Sequence, residues 1–244
     1  MKITAIITLV LLLSRSPLAA DLVVSPNVVN GNSGAEGPFL IGRDMVSSFR
    51  QQEVHSATDF SAISTLPLLI TEISFAPRRE GQPAIDVTAP NMDVRFSITT
   101  RNPDSLSPMF AENTGTAETV VLSGAVHVFD NGTERFGIHI QLQQPFLYDP
   151  SLGNLLLDFR NFATIAPPST GAYVLEGELR GGDSVSSVVS GDLGVNSPNG
   201  FFTTAGYVTR FTYTPVPEPS TWVLLCVGLF AIALLKYHRA PNRK

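Results

Sequence analysis

Apolar and polar residues alternate in short runs between Asp21 and Pro215, and Gly, Pro, Asn and Asp break these runs. A period of two is typical of strands that bury one face. The chain shows no long 3.6-residue periodicity, so about ten to thirteen strands predict an all-β fold, an antiparallel β-sandwich of two sheets that is jelly-roll-like. The clearest predicted strands lie near residues 70–75, 94–99, 138–143, 155–159, 173–179 and 207–213.

Two local features interrupt the strand pattern. Asp130, Asn131 and Gly132 stand between two apolar-rich runs, residues 120–129 and 136–142. Because Asn and Gly accept the positive φ of a tight reversal, this spacing predicts a β-hairpin. The one good helical stretch runs from Leu106 to Asn113 and predicts a single short helix or 3₁₀ turn.

The amino terminus has the three parts of a secretory signal peptide. Lys2 precedes an apolar run over residues 3–13, and the segment closes on Ala19 and Ala20. Eleven residues rise only roughly 16 Å as a helix, short of the approximately 30 Å hydrocarbon core, which argues against a permanent anchor. We predict a signal peptide over residues 1–20 with cleavage between Ala20 and Asp21, and cleavage after Ala19 is the alternative.

The carboxyl-terminal segment, residues 216–244, also has three parts, and the first is a proline-rich motif over residues 216–221. Prolines on both sides of Glu218 lack backbone donors and favour extended chain. The Glu218 carboxylate is therefore held where a processing enzyme can reach it. The motif consists of Val216, Pro217, Glu218, Pro219, Ser220 and Thr221.

An uncharged apolar run from Trp222 to Leu235 follows the motif. A helix over residues 222–237 would span about 24 Å, and snorkelling basic side chains would make up the remaining thickness. We predict a single transmembrane helix with Trp222 at the headgroup level. Basic residues are retained on the cytoplasmic side, so the tail (residues 236–244) is predicted to be cytoplasmic, and its basic residues are Lys236, Arg239, Arg243 and Lys244.

Charge separates the exported part from the ends. Between Asp21 and Glu218 the chain has ten arginines, no lysine and 21 acidic residues, a net charge of −11. Such a surface repels phosphate backbones, which argues against a nucleic-acid partner. The single cysteine, Cys226, lies in the apolar run. Residues 21–215 are therefore predicted to fold as one exported domain without disulfides.

The Val-Pro-Glu-Pro-Ser-Thr motif, the apolar helix and the basic tail together resemble the PEP-CTERM sorting signal of Gram-negative bacteria. That resemblance implies a partner, a membrane-embedded cysteine protease and transpeptidase of the exosortase type. It implies that Pro217, Glu218 and Pro219 are substrate residues, that inner-membrane anchoring is transient, and that the product reaches the cell surface or the extracellular space. The family is common in producers of extracellular polysaccharide. A permanent single-span anchor below a proline-rich stalk is the alternative.

Catalytic patterns are weak in the exported domain. Gly182-Asp183-Ser184 is similar to the start of some esterases, but no Asp-x-x-His follows it, so we expect a turn between strands. The three histidines of this domain, His55, His127 and His139, lack the spacing of a zinc site. We expect half-exposed strand residues, and no catalytic residue or metal site is predicted.

No cofactor is predicted. The alternative is a structural calcium ion held by clustered side-chain oxygens. The run from Asp130 to Glu134, or Asp149 together with Asp158, could hold a structural calcium ion, although neither has the regular spacing of a dedicated loop. Glu176 and Glu178 share one face of a predicted strand, which we interpret as like charges at an open edge.

These patterns favour a non-enzymatic structural or interaction protein of a biofilm or exopolysaccharide. A carbohydrate-binding module of the matrix is the first alternative, with Tyr148, Phe146 and Tyr173 as stacking candidates, although aromatic residues in strands are usually core residues. A polysaccharide-active enzyme is the second alternative. It would require a pair of catalytic carboxylates, and the sequence alone does not locate such a pair.

Overall fold

The computed structural model describes most of the exported domain and a short piece of the carboxyl-terminal segment. The described residues are 20–27, 35–41, 48–64, 66–78, 85–130, 132–163, 173–216 and 227–230. Apart from Ala20, the predicted signal peptide lies outside these ranges and stays a prediction.

The described residues form thirteen strands, which confirms the all-β prediction. In chain order the strands are β1 (Asp21–Ser25), β2 (Ala35–Ile41), β3 (Phe49–His55), β4 (Leu68–Phe75), β5 (Ile85–Thr99), β6 (Thr116–Asp130), β7 (Ile138–Tyr148), β8 (Asn154–Asn161), β9 (Tyr173–Glu178), β10 (Val185–Val189), β11 (Phe201–Thr203), β12 (Gly206–Tyr207) and β13 (Thr209–Pro215). Between the strands lie one α-helix, α1 (Ala57–Ser61), and three 3₁₀ helices, η1 (Phe110–Glu112), η2 (Pro150–Leu152) and η3 (Gly191–Leu193).

The described strands pair antiparallel and form three sheets, whereas the sequence predicts two. A four-stranded sheet has the order β1-β13-β4-β7, and a six-stranded sheet has the order β11-β10-β3-β8-β5-β6. A small three-stranded sheet has the order β12-β9-β2.

The main hydrophobic core lies between the four-stranded and the six-stranded sheet. Side chains of β7 alternate between buried and exposed from Ile138 to Leu142, as predicted. Phe146 of β7 meets Phe96 of β5 edge to face, with ring centroids 5.5 Å apart. Each large apolar side chain buried in this way contributes about 1.5–3 kcal/mol, so the contact between these two sheets is the main source of stability.

The second face of the six-stranded sheet is covered over β3, β8 and β10. The segment between β5 and β6 folds back so that Leu106 and Phe110 pack on Val54, Leu156 and Val188. Two-sided burial accounts for the nearly continuous buried pattern of β3, β8 and β10. Residues 106–113 were predicted to form a short helix or a 3₁₀ turn. The structure has the 3₁₀ helix η1 there.

A charged cluster is buried on this covered face. The Asp158 carboxylate accepts hydrogen bonds from Nε and Nη2 of Arg50 at 3.0 and 2.6 Å, and from Nη2 of Arg160 at 2.7 Å. The guanidinium of Arg50 also lies 4.4 Å from the ring centroid of Phe110. Burial alone would raise the pKa of Asp158, but the two arginines outweigh burial and hold this pKa below its usual value.

The predicted hairpin around Gly132 is wrong. Gly132 does turn the chain, with a φ of 79°. However, β6 pairs with β5 in the six-stranded sheet, and β7 pairs with β4 in the four-stranded sheet. The turn therefore carries the chain from one sheet to the other instead of joining two paired strands.

The interpretation of Glu176 and Glu178 as charges at an open edge is also wrong. Strand β9 is the middle strand of the three-stranded sheet, with β12 on one side and β2 on the other. Oε2 of Glu176 accepts hydrogen bonds from Nε and Nη2 of Arg135 at 3.2 and 2.9 Å. This contact ties the small sheet to the segment that leads into β7.

Candidate functional site

The sorting motif begins where the last strand ends. Strand β13 stops at Pro215, and the backbone amide of Val216 donates a hydrogen bond to the carbonyl oxygen of Pro67 at 3.1 Å. Residues 217–221 lie outside the described residues. The start of the motif is thus held against the folded domain.

Both predicted processing points leave the domain at one end of the four-stranded sheet. Strand β1 begins at Asp21 and runs antiparallel to β13, with Asp21 opposite Tyr213. Ala20, the last residue of the predicted signal peptide, therefore lies beside the chain that enters the sorting motif. The pairing is a property of the fold that the sequence does not reveal.

Little of the predicted transmembrane helix falls within the described residues. Residues 227–230 are helical, and Val227, Leu229 and Phe230 are exposed. Among the described residues, no helix combines the length and the apolar character needed to cross a bilayer. Trp222, Leu235 and the basic residues Lys236, Arg239, Arg243 and Lys244 lie outside the described ranges.

A cleft opens between β6 and β7, the adjacent edge strands of the two larger sheets. Further along these strands, the side-chain amide of Gln143 bonds both the backbone amide and the carbonyl of Ser123, at 3.1 and 3.0 Å, and holds the edges together. The cleft encloses about 290 Å³. We call it the histidine cleft, and its lining residues are His127, Phe129, Thr133, Glu134, Gly137 and His139.

Carboxylates fix both imidazoles of the histidine cleft. Nε2 of His127 lies 2.8 Å from Oδ1 of Asp86, and Nδ1 of His139 lies 2.9 Å from Oε1 of Glu72. Oε2 of Glu134 is 3.8 Å from the other ring nitrogen of His139. Burial would raise the pKa of Glu72, but hydrogen bonds, that of His139 first, keep this pKa below its usual value. Each imidazole is therefore oriented by an acidic partner.

One aromatic side chain of the histidine cleft escaped the sequence analysis. Phe129 is 51% exposed, and its ring lies 6.4 Å from that of His127 at an interplanar angle of 31°. Both side chains stand on the exposed face of β6, since they are two residues apart. A phenylalanine on the polar face of an alternating strand was the signal that could have found it.

The prediction that the histidines are half-exposed is right for His127 and His139 and wrong for His55. The side chain of His55 is fully buried, with Nδ1 2.9 Å from Oγ of Ser25 and Nε2 3.0 Å from Oε1 of Glu53. Oγ of Ser25 in turn donates to Oδ2 of Asp59 at 2.6 Å. We call these four residues the buried polar chain, and it links β1, β3 and α1.

Gly182-Asp183-Ser184 lies in the turn between β9 and β10, as predicted. Ser184 has a φ of 80°, and its hydroxyl donates to Oδ2 of Asp59 at 2.8 Å. This hydroxyl therefore extends the buried polar chain. The acid in contact with this hydroxyl is Asp59.

A pair of acidic side chains lies beside this turn. An oxygen of Asp104 accepts a hydrogen bond from the amide of Gly182, and Oδ1 of Asp183 accepts one from the amide of Val185. Within the described residues, the other oxygen of each aspartate has no hydrogen-bond partner. Burial first, and then the charges of Asp104 and Glu178, raise the pKa of Asp183 to about 6 against the lowering effect of the backbone hydrogen bonds.

The other predicted ligand residues are dispersed. Asp158 is bound by arginines, and Asp149 caps η2 by accepting from the amide of Ser151. Tyr148 and Phe146 lie in the core, so they present no stacking surface, and the side chain of Tyr173 lies outside the described residues. In the part of the chain that the structure describes, His, Cys, Asp and Glu side chains form no group of three or more suited to a metal.

Comparison with known proteins identifies only the carboxyl-terminal segment. Residues 215–239 match the family model of the PEP-CTERM protein-sorting motif. No curated protein and no solved structure matches the chain. The match includes the whole proline-rich motif, the apolar run and two of the four basic tail residues.

Proposed function

We propose that this chain, which carries the PEP-CTERM protein-sorting motif over residues 215–239, is exported and processed by an exosortase, and that its β domain acts outside the inner membrane without turning over a substrate. The domain reaches the cell surface or the exopolysaccharide matrix of a biofilm. There it serves as a structural or interaction protein.

The observation that carries this proposal is the position of the matched segment directly behind the last strand. Strand β13 is complete at Pro215, and the match begins at that residue. Removal of the segment beyond Val216 therefore takes away no strand of the described domain. A disposable tail requires this arrangement, since a tail that contributed a strand could not be removed without unfolding.

The sorting motif supplies the chemistry of recognition in this proposal. Glu218 is held on extended chain between Pro217 and Pro219, which cannot donate to a sheet. Residues 222–237 anchor the chain in the inner membrane until the exosortase acts, and Lys236 with Arg239 keeps the tail in the cytoplasm.

A non-enzymatic role is supported by the positions of the chemically capable side chains. His55, Ser25 and Asp59 are less than 3% exposed, so no substrate reaches them in the folded state. The hydroxyl of Ser184 is engaged by Asp59. These groups stabilise the junction of β1 with the rest of the domain.

Fractionation tests this function. Native protein from cells with the exosortase should leave the inner-membrane fraction, and protein from cells that lack the protease should remain there. Equal amounts in the inner membrane of both strains would refute processing as the route of release. Purified domain should also leave polysaccharide chain lengths unchanged, and shortened chains would refute the non-enzymatic role.

A second candidate function, carbohydrate binding, is favoured by the histidine cleft. Sugar-binding surfaces combine an exposed aromatic ring with fixed polar groups, and this cleft places the exposed Phe129 beside two oriented imidazoles. A glycan array tests it: saturable binding supports the function, and no binding across many glycans contradicts it.

A further inference from the structure

We propose that the histidine cleft binds one uncharged hexopyranose unit of a polysaccharide, with the ring of Phe129 against the sugar and the imidazoles of His127 and His139 as hydrogen-bond acceptors. The proposal rests on the carbohydrate-binding function above and assigns that function a site and a ligand class. It replaces the aromatic residues that the sequence suggested, because those lie in the core.

The apolar part of the site is a two-ring platform. Phe129 is 51% exposed on an edge strand, and the inclined ring of His127 beside it extends the surface. The C–H groups on one face of a pyranose ring are apolar, so burial against such a platform removes them from water. The exposure of Phe129 leaves its ring available for this contact.

The polar part of the site favours ligands that donate hydrogen bonds. In a neutral imidazole one nitrogen donates and the other accepts. In the tautomer whose Nε2–H donates to Asp86, Nδ1 of His127 is an acceptor. In the tautomer whose Nδ1–H donates to Glu72, Nε2 of His139 is an acceptor. The carboxylate of Glu134 adds further acceptor capacity. Sugar hydroxyl groups supply the donors that this arrangement requires.

Charge excludes acidic sugars from the site. The six lining residues include Glu134 and no arginine or lysine, and Asp86 and Glu72 stand directly behind the imidazoles. A uronic acid or a sulfated sugar would meet these carboxylates without a cation to pair with it. The nearest arginine in sequence, Arg135, is bonded to Glu176 of the small sheet.

The size of the cleft fits a single sugar unit. Pockets for drug-sized ligands span about 300–1,000 Å³, and the cleft measures about 290 Å³. Its position at the seam between two sheet edges leaves a longer polysaccharide free to continue on either side. The site would therefore bind the polysaccharide at one pyranose unit.

The test uses the full chain in detergent and isothermal titration with three hexasaccharide probes: a neutral β-glucan, a neutral mannan and a galacturonan. Phe129→Ala removes the platform from an exposed position, so the fold is retained. Phe201→Ala is the matched control, because Phe201 is 67% exposed on β11, the opposite edge of the same sheet. Glu134→Gln removes a charge from the cleft and keeps its shape.

We expect at least one neutral hexasaccharide to bind, Phe129→Ala to weaken that binding about tenfold, and Phe201→Ala to leave it unchanged. Glu134→Gln should reduce the discrimination against galacturonan. Equal binding by both phenylalanine variants would refute the site and leave carbohydrate binding standing. Tighter binding of galacturonan would refute the ligand class, and loss of binding in EDTA would refute direct recognition of the sugar by the imidazoles. Failure of every probe would refute the site, and the glycan array then decides whether the carbohydrate-binding function falls with it.

Discussion

Asp21 lies opposite Tyr213 in the antiparallel pair of β1 and β13. Burial raises the pKa of Tyr213, and the neighbouring charge of Asp21 raises it further. This register brings the first residue after the predicted signal peptide next to the last strand before the sorting motif. Both predicted processing points therefore lie at the same end of the four-stranded sheet.

Glu218→Ala should retain the protein in the inner membrane without changing its stability. The substitution removes the carboxylate of the sorting motif, which stands beyond the last strand. Fractionation of cells that contain the exosortase measures the retained share, and thermal unfolding measures stability. Glu112→Ala, the same chemical change on the domain surface, should leave sorting unchanged, and retention of both variants alike would contradict a specific role of the motif.

Ser25→Ala should destabilise the domain by about 1–3 kcal/mol. It removes the hydroxyl that bonds Asp59 at 2.6 Å and His55 at 2.9 Å within the buried polar chain. Urea unfolding measures the loss. Ser61→Ala removes an exposed hydroxyl of α1 and should change stability by no more than about 0.5 kcal/mol. Identical midpoints for the two variants would show that the buried polar chain adds nothing.

Asp158→Asn should destabilise the domain by about 3 kcal/mol, because Arg50 and Arg160 lose their charged partner in a buried site. The comparison is Glu112→Gln, which breaks the exposed pair with Arg101 and should cost no more than about 1 kcal/mol. Urea unfolding at neutral pH measures both. A cost for Asp158→Asn no larger than that of the control would contradict the account of the cluster.

The same variant has a pH signature. The folded-state pKa of Asp158 is lowered, so its ionised form stabilises the fold fully above the unfolded-state pKa of about 3.9. That contribution is lost as the pH falls through the lower, folded-state pKa. The gap between the parent protein and Asp158→Asn should therefore narrow below about pH 4, and a gap independent of pH would contradict the assignment.

Asp183→Asn should stabilise the domain at pH 7. The folded-state pKa of about 6 lies above the unfolded-state value, so the folded state keeps a proton that the unfolded chain has released. Stability of the parent thus falls as the pH rises from about 4 to about 6. The variant keeps the acceptor for the amide of Val185 and has no carboxyl group to titrate, so its stability does not fall in this way. The difference in unfolding free energy between variant and parent should therefore vanish by about pH 4.

Asp192→Asn provides the control for that experiment, since Asp192 is exposed. It should follow the pH dependence of the parent in urea unfolding measured at pH 4, 5 and 7. An Asp183→Asn variant that behaves like this control would show that the acidic pair does not oppose folding.

Strand positions were accessible from the sequence because alternation reports the burial of local side chains. Residues 138–143 show this directly. Residues 94–99 form a strand as predicted, but their polar positions Ser97 and Thr99 are buried as well. Strand pairing could not be predicted from the sequence. The turn at Gly132 has the local chemistry of a hairpin, but β6 pairs with β5 and β7 pairs with β4. Partner choice depends on contacts far apart along the chain.

In the candidate site, too, the sequence shows the single residues but not the contacts between distant parts of the chain. His127, His139 and Glu134 were each visible in the sequence, yet their convergence on one cleft depends on the two sheet edges meeting. His55 was expected to be a half-exposed strand residue, because its partner Ser25 comes from another strand and Ser25 in turn bonds Asp59 of α1. The sorting motif was found because its three parts are consecutive in the chain.

The intact mass of native protein, compared between cells with and without the exosortase, tests the central claim most directly. The account predicts that the protease-containing cells yield a species lacking the basic tail through Lys244, and that cells without the protease yield a longer species that retains it. Native material from both kinds of cell that still ends at Lys244 would contradict the account.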